Sequence, residues 1–276
     1  MLERWYDCVI ADGKTSNSRI VAARGSHVGE AIARAEQKAG RVVAVAAGEA
    51  PIGESVGKAV VERNAGPALD GALATARWPR GVIPGWKPDG ALRAPQSGYV
   101  VHETGPTVVV EATCASDSAH DLWLTLVEQM PVIDNIEVRL LPAYTDGAEP
   151  LPHTDVWLTP RINGKKAVRF LDDHQNDLSN NGLLEVAAYQ RNNRSTMRLT
   201  EHKTIVWVSE TATTVADIEK WLAVAKVPRA ESMAALGDVS AAPHWHYRLD
   251  AASDRARMEK RLHAMRLKRV DRIVTQ

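Results

Sequence analysis

The stretch 183-LLEVAAYQRNNRSTMRLTEHKTIVWVS-209 decides the fold. It reads as three strands, 183–190, 196–200 and 204–209, rich in apolar and β-branched residues. Arg191-Asn-Asn-Arg194 and Glu201-His-Lys203 lie between them. Downstream, 214–225 reads as a helix, 244–249 as a strand and the tail from Ala251 onward as helical. Upstream, 107–112 is a strand, and 118–130 is a helix burying Leu122, Trp123, Leu126, Val127 and Met130. Residues 136–141 alternate as a strand, with a turn at Asp146-Gly147. Strands at 156–162 and 166–171 are expected on either side of Asn163-Gly164, the strongest hairpin signal in the chain.

The amino-terminal part has the same character. Residues 5–11 and 19–23 read as strands around the turn pair Asp12-Gly13. Gly25-Ser26 caps a helix with Val28, Ala31, Ile32 and Ala35 on one face, closed by Gly40. A short apolar strand follows at 42–47, then an Ala- and Gly-rich stretch, 50–76, with weak helical spacing. The fold class expected is α+β: mixed, mostly antiparallel sheets with helices packed on one face. An internal echo accompanies it. Thr107-Val-Val-Val-Glu111 leads into Ser118-x-x-Asp121 and a Trp-bearing helix, and Thr204-Ile-Val-Trp-Val208 leads into Thr214-x-x-Asp217 and another. These are either repeated strand-loop-helix-strand units or two ordinary strand-to-helix passages, each with its own capping box.

Four segments are expected: an α+β domain over 1–77, a strap over 78–98, a larger α+β domain over 99–250 and a basic amphipathic helix over 251–276. The strap's four prolines and four glycines argue against regular structure. Its Trp78, Ile83, Trp86 and Leu92 are costly to leave in water, so it is expected to be ordered.

Composition bounds the rest. The 276 residues are 45% apolar and 25% charged, enough for a packed core in one or two domains. Eight Trp but a single Phe leave Val, Leu, Ile and Ala to fill that core, with Trp closing the large gaps. Abundant Ala and a preference for Arg over Lys suggest a GC-rich bacterial genome. The start has neither a basic n-region nor an apolar h-region, and no run reaches the ~18 apolar residues of a spanning helix. A cytoplasmic protein without membrane contact is expected. Net charge is zero, which gives no global pull on nucleic acid, but 254–272 holds eight Arg or Lys against three acids.

Chemical motifs are sparse. Cys8 and Cys114 match no disulfide framework or zinc spacing. Phosphate loops, dinucleotide fingerprints, nucleophile elbows and zincin helices are absent. His244-Trp-His246 puts two imidazoles on one side of a strand, as two metal ligands must be. His153-Thr-Asp155 is His-x-Asp, the first half of a two-His-one-carboxylate iron triad. With Ser179-Asn-Asn-Gly182 and Arg194-Ser195 it resembles, over a few residues only, pieces of iron- and oxoglutarate-dependent oxygenases. The distal His of that pattern is missing before Arg194, and nothing selects His174 or His202 as a substitute. Asp172-Asp173-His174 reads as a solvated turn or a cleft cluster, and Cys114 with His120 as a thiolate–imidazole pair or a structural Cys.

The function expected on these grounds is a non-catalytic protein-binding component, an adaptor, immunity-type or assembly subunit that oligomerises or binds another protein and needs no cofactor. Met258, Leu262 and Met265 would anchor the partner while Arg266, Lys268 and Arg269 steer it. The first alternative is a metal-dependent enzyme drawing on His153, Asp155, His174, His202, His244 and His246. The second is a nucleic-acid-associated protein using the basic tail.

Overall fold

A computed structural model describes residues 3–11, 13, 17–51, 58–69, 71–87, 92–115, 119–145, 149–192, 194–210 and 215–274. Among these, fourteen strands and six α-helices follow one another in a mixed, mostly sheet architecture. The amino-terminal elements are β1 (Arg4–Ala11), β2 (Ser18–Gly25), α1 (Val28–Ala39), β3 (Val42–Gly48), β4 (Val60–Ala65), α2 (Gly71–Thr75) and β5 (Val82–Pro84). Then come β6 (Gly98–Thr104), β7 (Thr107–Thr113), α3 (Ala119–Glu128), β8 (Asn135–Leu140), β9 (His153–Leu158), α4 (Gly164–Asp173), β10 (Leu184–Gln190), β11 (Ser195–Leu199) and β12 (Ile205–Ser209). The chain closes through α5 (Val215–Val224), β13 (His244–His246), α6 (Arg255–Ala264) and β14 (Lys268–Val274).

Strand alternation builds the amino-terminal sheet, ordered β3-β1-β2-β4 with every pair antiparallel. Tyr6, Cys8 and Ile10 face a core shared with Ala31, Ile32 and Ala35 of α1, while Val9 and Ala11 face Leu69 and Leu73 on the other side. Both faces of β1 are therefore covered. That is why its burial is continuous from Cys8 to Ala11.

The larger sheet has eight antiparallel strands in the order β14-β9-β8-β10-β11-β12-β7-β6. Register aligns Val138 with Val186, Val186 with Leu199 and Leu199 with Ile205, so apolar positions stack across strands. They share one core with Trp123 and Leu126 of α3, Leu171 of α4, Leu222 of α5, and Met258 and Leu262 of α6. Each such side chain contributes about 1.5–3 kcal/mol by leaving water. The intervening positions carry a ladder of ion pairs: Glu137–Arg139, Glu137–Arg198, Glu185–Arg198 and Glu185–Arg139.

β13 pairs with β5 and lies outside both large sheets. The crossing beside it is tight: Tyr247 N donates to Gly81 O, and Gly182 N donates to Tyr247 O, both at 2.9 Å. Gly182 is required there, because a Cβ on it would overlap the Gly81 carbonyl oxygen.

Several local expectations are corrected. Residues 166–171 are not a strand; Asn163 caps α4, accepting from Lys165 N, and Ala167 and Leu171 face the core one helical turn apart. The helical tail ends at Ala264, and 268–274 form a strand antiparallel to β9. Within 78–98, β5 is regular structure, with Val82 and Ile83 buried. The cap of α1 is His27, accepting from Glu30 N, rather than Gly25-Ser26. Within 50–76 there is a strand, β4, as well as the short α2. The turn residues Asp12, Asp146 and Gly147 and the capping residues Ser118 and Thr214 lie outside the described residues. No helix among the described residues is long and apolar enough to cross a membrane.

Candidate metal centre

Three histidines meet at the junction of the two halves. His202 sits in the tight turn between β11 and β12, closed by Lys203 N donating to Thr200 O and by Lys203 in the left-handed region at φ 63°. His244 and His246 are two apart on β13 and so project to one side. One ligating nitrogen from each of the three lies within 4.8 Å of the others. The ring centroids are 4.8 Å apart for His202–His244 and His202–His246, and 4.7 Å for His244–His246.

Hydrogen bonding fixes how these rings are protonated. His244 Nδ1 is 2.6 Å from Ala242 O, and His246 Nδ1 is 2.9 Å from Gly182 O. A carbonyl oxygen only accepts, so both Nδ1 atoms carry hydrogen and both Nε2 atoms of the neutral rings carry lone pairs. Those Nε2 atoms face each other at 2.8 Å. Two lone pairs at that distance repel unless a cation, a proton or a metal ion, lies between them. The third ring is arranged in the same sense. Glu201 Oε1 is 3.3 Å from His202 Nε2, while His202 Nδ1 is buried with no hydrogen-bond partner among the described residues. A carboxylate or carbonyl behind each ring, as here, is what metal-bound imidazoles have.

Burial favours the neutral, ligand form of two of the rings, His202 and His246. Burial, then the charges of His202 and His244, push His246 down to about 4. Burial also lowers His202 below the ordinary histidine value, against the opposing pull of Glu201. Around them, burial and the Glu201 carboxyl push Glu185 up to about 7, and burial pushes Lys203 down to about 7. Lys203 Nζ donates to Asn181 O at 2.7 Å. A cleft of about 290 Å³ adjoins the cluster, walled by Trp78, Pro84, Leu92, Val239, Ala242 and Pro243. Ala242 is the residue whose carbonyl holds His244, and Pro84 is the cross-strand partner of His244.

No known protein family, curated protein or solved structure matches this chain. The reading of the site therefore rests on its geometry.

The other singled-out residues lie elsewhere. His153 Nε2 is 3.6 Å from Asp155 Oδ2, but the Asp155 carboxylate is already taken by Arg255 at 2.6 Å and Arg272 at 2.9 Å. The His-x-Asp pair is thus part of an ion-pair hub. His174 ends α4 with its ring against Phe170, apart from the three-histidine group. Asp172 and Asp173 are in the last turn of α4. His120 is engaged with Ser179 Oγ at 2.5 Å and Asp172 Oδ1 at 3.7 Å; both Ser179 and His120 are 2% exposed, which closes that serine to substrate. Met258 and Leu262 are fully buried in the chain's own core, and Met265 packs against it. Arg266 turns the chain at φ 65°, Lys268 opens β14, and Arg269 Nη1 lies 3.6 Å from Asp155.

The sequence singled out the His244–His246 half of this cluster by its spacing. It gave no sign of which distant histidine completes it, because that depends on where the β11–β12 turn lands.

Proposed function

We propose that the protein is a metal-dependent enzyme whose centre is His202, His244 and His246. The observation that carries this reading is the facing pair of Nε2 atoms at 2.8 Å, each ring held behind by a backbone carbonyl. Imidazole donors suit a borderline divalent ion, zinc foremost. Tetrahedral zinc with bonds of about 2.0–2.1 Å sets its nitrogens about 3.3 Å apart. Holding such an ion would require the His244–His246 pair, at 2.8 Å, to open slightly and His202 to come closer. The three histidines would hold the ion, and the ion would supply a water activated near neutral pH. Hydrolysis of an ester, amide or phosphoester is the chemistry such a centre supports. The adjoining cleft is mostly apolar, with Lys87, Arg93 and Asp238 also lining it, and suits a substrate with an apolar portion beside a charged or polar one.

A protein-binding role ranks second, since Met258 and Leu262, which would anchor a partner, are turned into the chain's own core. Untagged protein dialysed against metal-free buffer should retain, or take up from zinc solution, one equivalent of metal. His244→Ala and His246→Ala should each lose it. A panel of chromogenic esters and phosphoesters should show turnover that chelation abolishes and zinc restores. Wild-type protein that binds no metal, or turnover indifferent to chelation, would sink the reading.

A further inference from the structure

Three residues of β13 face two ways. His244 and His246 turn toward His202 on the large-sheet turn, while Trp245 between them turns into the amino-terminal core. Trp245 Nε1 donates to Val45 O of β3 at 2.9 Å, and its ring meets Tyr6 of β1 edge-on at 6.0 Å. Tyr247, two residues on, packs against the same core. The ladder partner of β13 is β5, and β5 is tied in turn to β3, where Val45 bridges Gly85 and Val45 O accepts from Trp86 N. On the large-sheet side, β13 is held by the bond from His246 Nδ1 to Gly182 O and by the imidazole cluster itself.

We infer that metal binding at the three histidines and docking of the amino-terminal sheet are one coupled equilibrium, transmitted through Trp245. This rests on the metal reading above. A bound ion fixes His244 and His246 against His202, and so fixes the strand that carries Trp245. Conversely, an amino-terminal sheet that releases Trp245 and β5 leaves β13 without its ladder, and two of the three ligands lose their positions. Linkage requires the effect to be equal in both directions.

Two measurements test it. Zinc affinity, by competition with a chromophoric chelator, should fall tenfold or more in Trp245→Ala. It should fall only severalfold in Trp245→Phe, which keeps an aromatic ring but not the bond to Val45. The reciprocal measurement uses Cys8, fully buried in the core that Trp245 and Tyr247 help close. Burial pushes its thiol up to about 12, so it alkylates only when that core opens. In a Cys114→Ser background, zinc at a hundred times its dissociation constant should slow iodoacetamide modification of Cys8 by up to about 100-fold. The same zinc should have no effect in Cys114→Ser/His246→Ala. If Trp245→Ala does not fold, Trp245→Phe and the labelling decide the matter. Stoichiometric zinc binding with an unchanged Cys8 rate overturns the coupling and leaves the metal centre standing. A wild-type protein that binds no zinc removes both.

Discussion

Asp155→Asn tests the ionic construction of the carboxyl-terminal segment. The Asp155 side chain is 2% exposed and meets Arg255 at 2.6 Å, Arg272 at 2.9 Å and Arg269 at 3.6 Å. Asparagine keeps the shape but removes the charge. The Arg255 guanidinium is only 11% exposed, so its bond to Asp155 counts as a buried charge-assisted hydrogen bond, about 1.5–3 kcal/mol. Arg272 and Arg269 are about half exposed, and solvent screening leaves roughly 0.5 kcal/mol each. The loss expected at pH 7 is therefore about 2.5–4 kcal/mol, read as a lower urea midpoint with an unchanged slope. Acid supplies a second test. Burial would raise the Asp155 pKa, but the hydrogen bonds from Arg272 and Arg255 outweigh it and hold the group below its ordinary value. Its stabilisation is thus complete well above the unfolded value near 3.9, and is lost as pH falls through the lower folded value. The gap between wild type and Asp155→Asn should stay constant from pH 7 to about 5 and shrink below about 4. Equal urea midpoints at pH 7, or a gap that stays constant down to acid unfolding, would refute this reasoning.

Two further substitutions probe other joints. Asn163→Ala removes the side chain that accepts from Lys165 N at the start of α4, and should cost about 1 kcal/mol in urea unfolding; no change would mean the cap is frayed. Gly182→Ala drives a methyl into the Gly81 carbonyl and shifts the acceptor of His246 Nδ1, so thermal stability and zinc affinity should fall together. Retention of both would show that the crossing can relax.

What the sequence made legible was the local part of the fold. Alternation in 183–209 needed no knowledge of distant contacts, and the three strands fall within one residue of their expected starts. Asn163-Gly164 misled because Asn serves hairpin turns and helix caps equally well. The apolar residues Ala167, Val168, Phe170 and Leu171 have helical spacing, and that signal outweighs the dipeptide. For 268–274, basic residues continued the look of the preceding helix. The β-branched Val270, Ile273 and Val274 are at home in a strand, but only pairing with β9, more than a hundred residues earlier in the chain, makes them one. His202 stood among the candidates, but nothing in the sequence selected it, for the same reason: its meeting with β13 is wholly non-local.

The hub at Asp155 also sets an order of events during synthesis. Its hydrogen bond to Arg272 spans 117 residues. At about 5–20 residues per second, a ribosome needs roughly 6–23 s to add the residues between them. Through that interval β9 has no strand on its outer side, and its open edge could recruit a neighbouring nascent chain. The carboxylate that later anchors three arginines is then hydrated and negative, and burying it against a foreign strand would be costly. The same side chain that fastens the finished sheet thus guards its growing edge, and the arrival of the arginines lifts the guard.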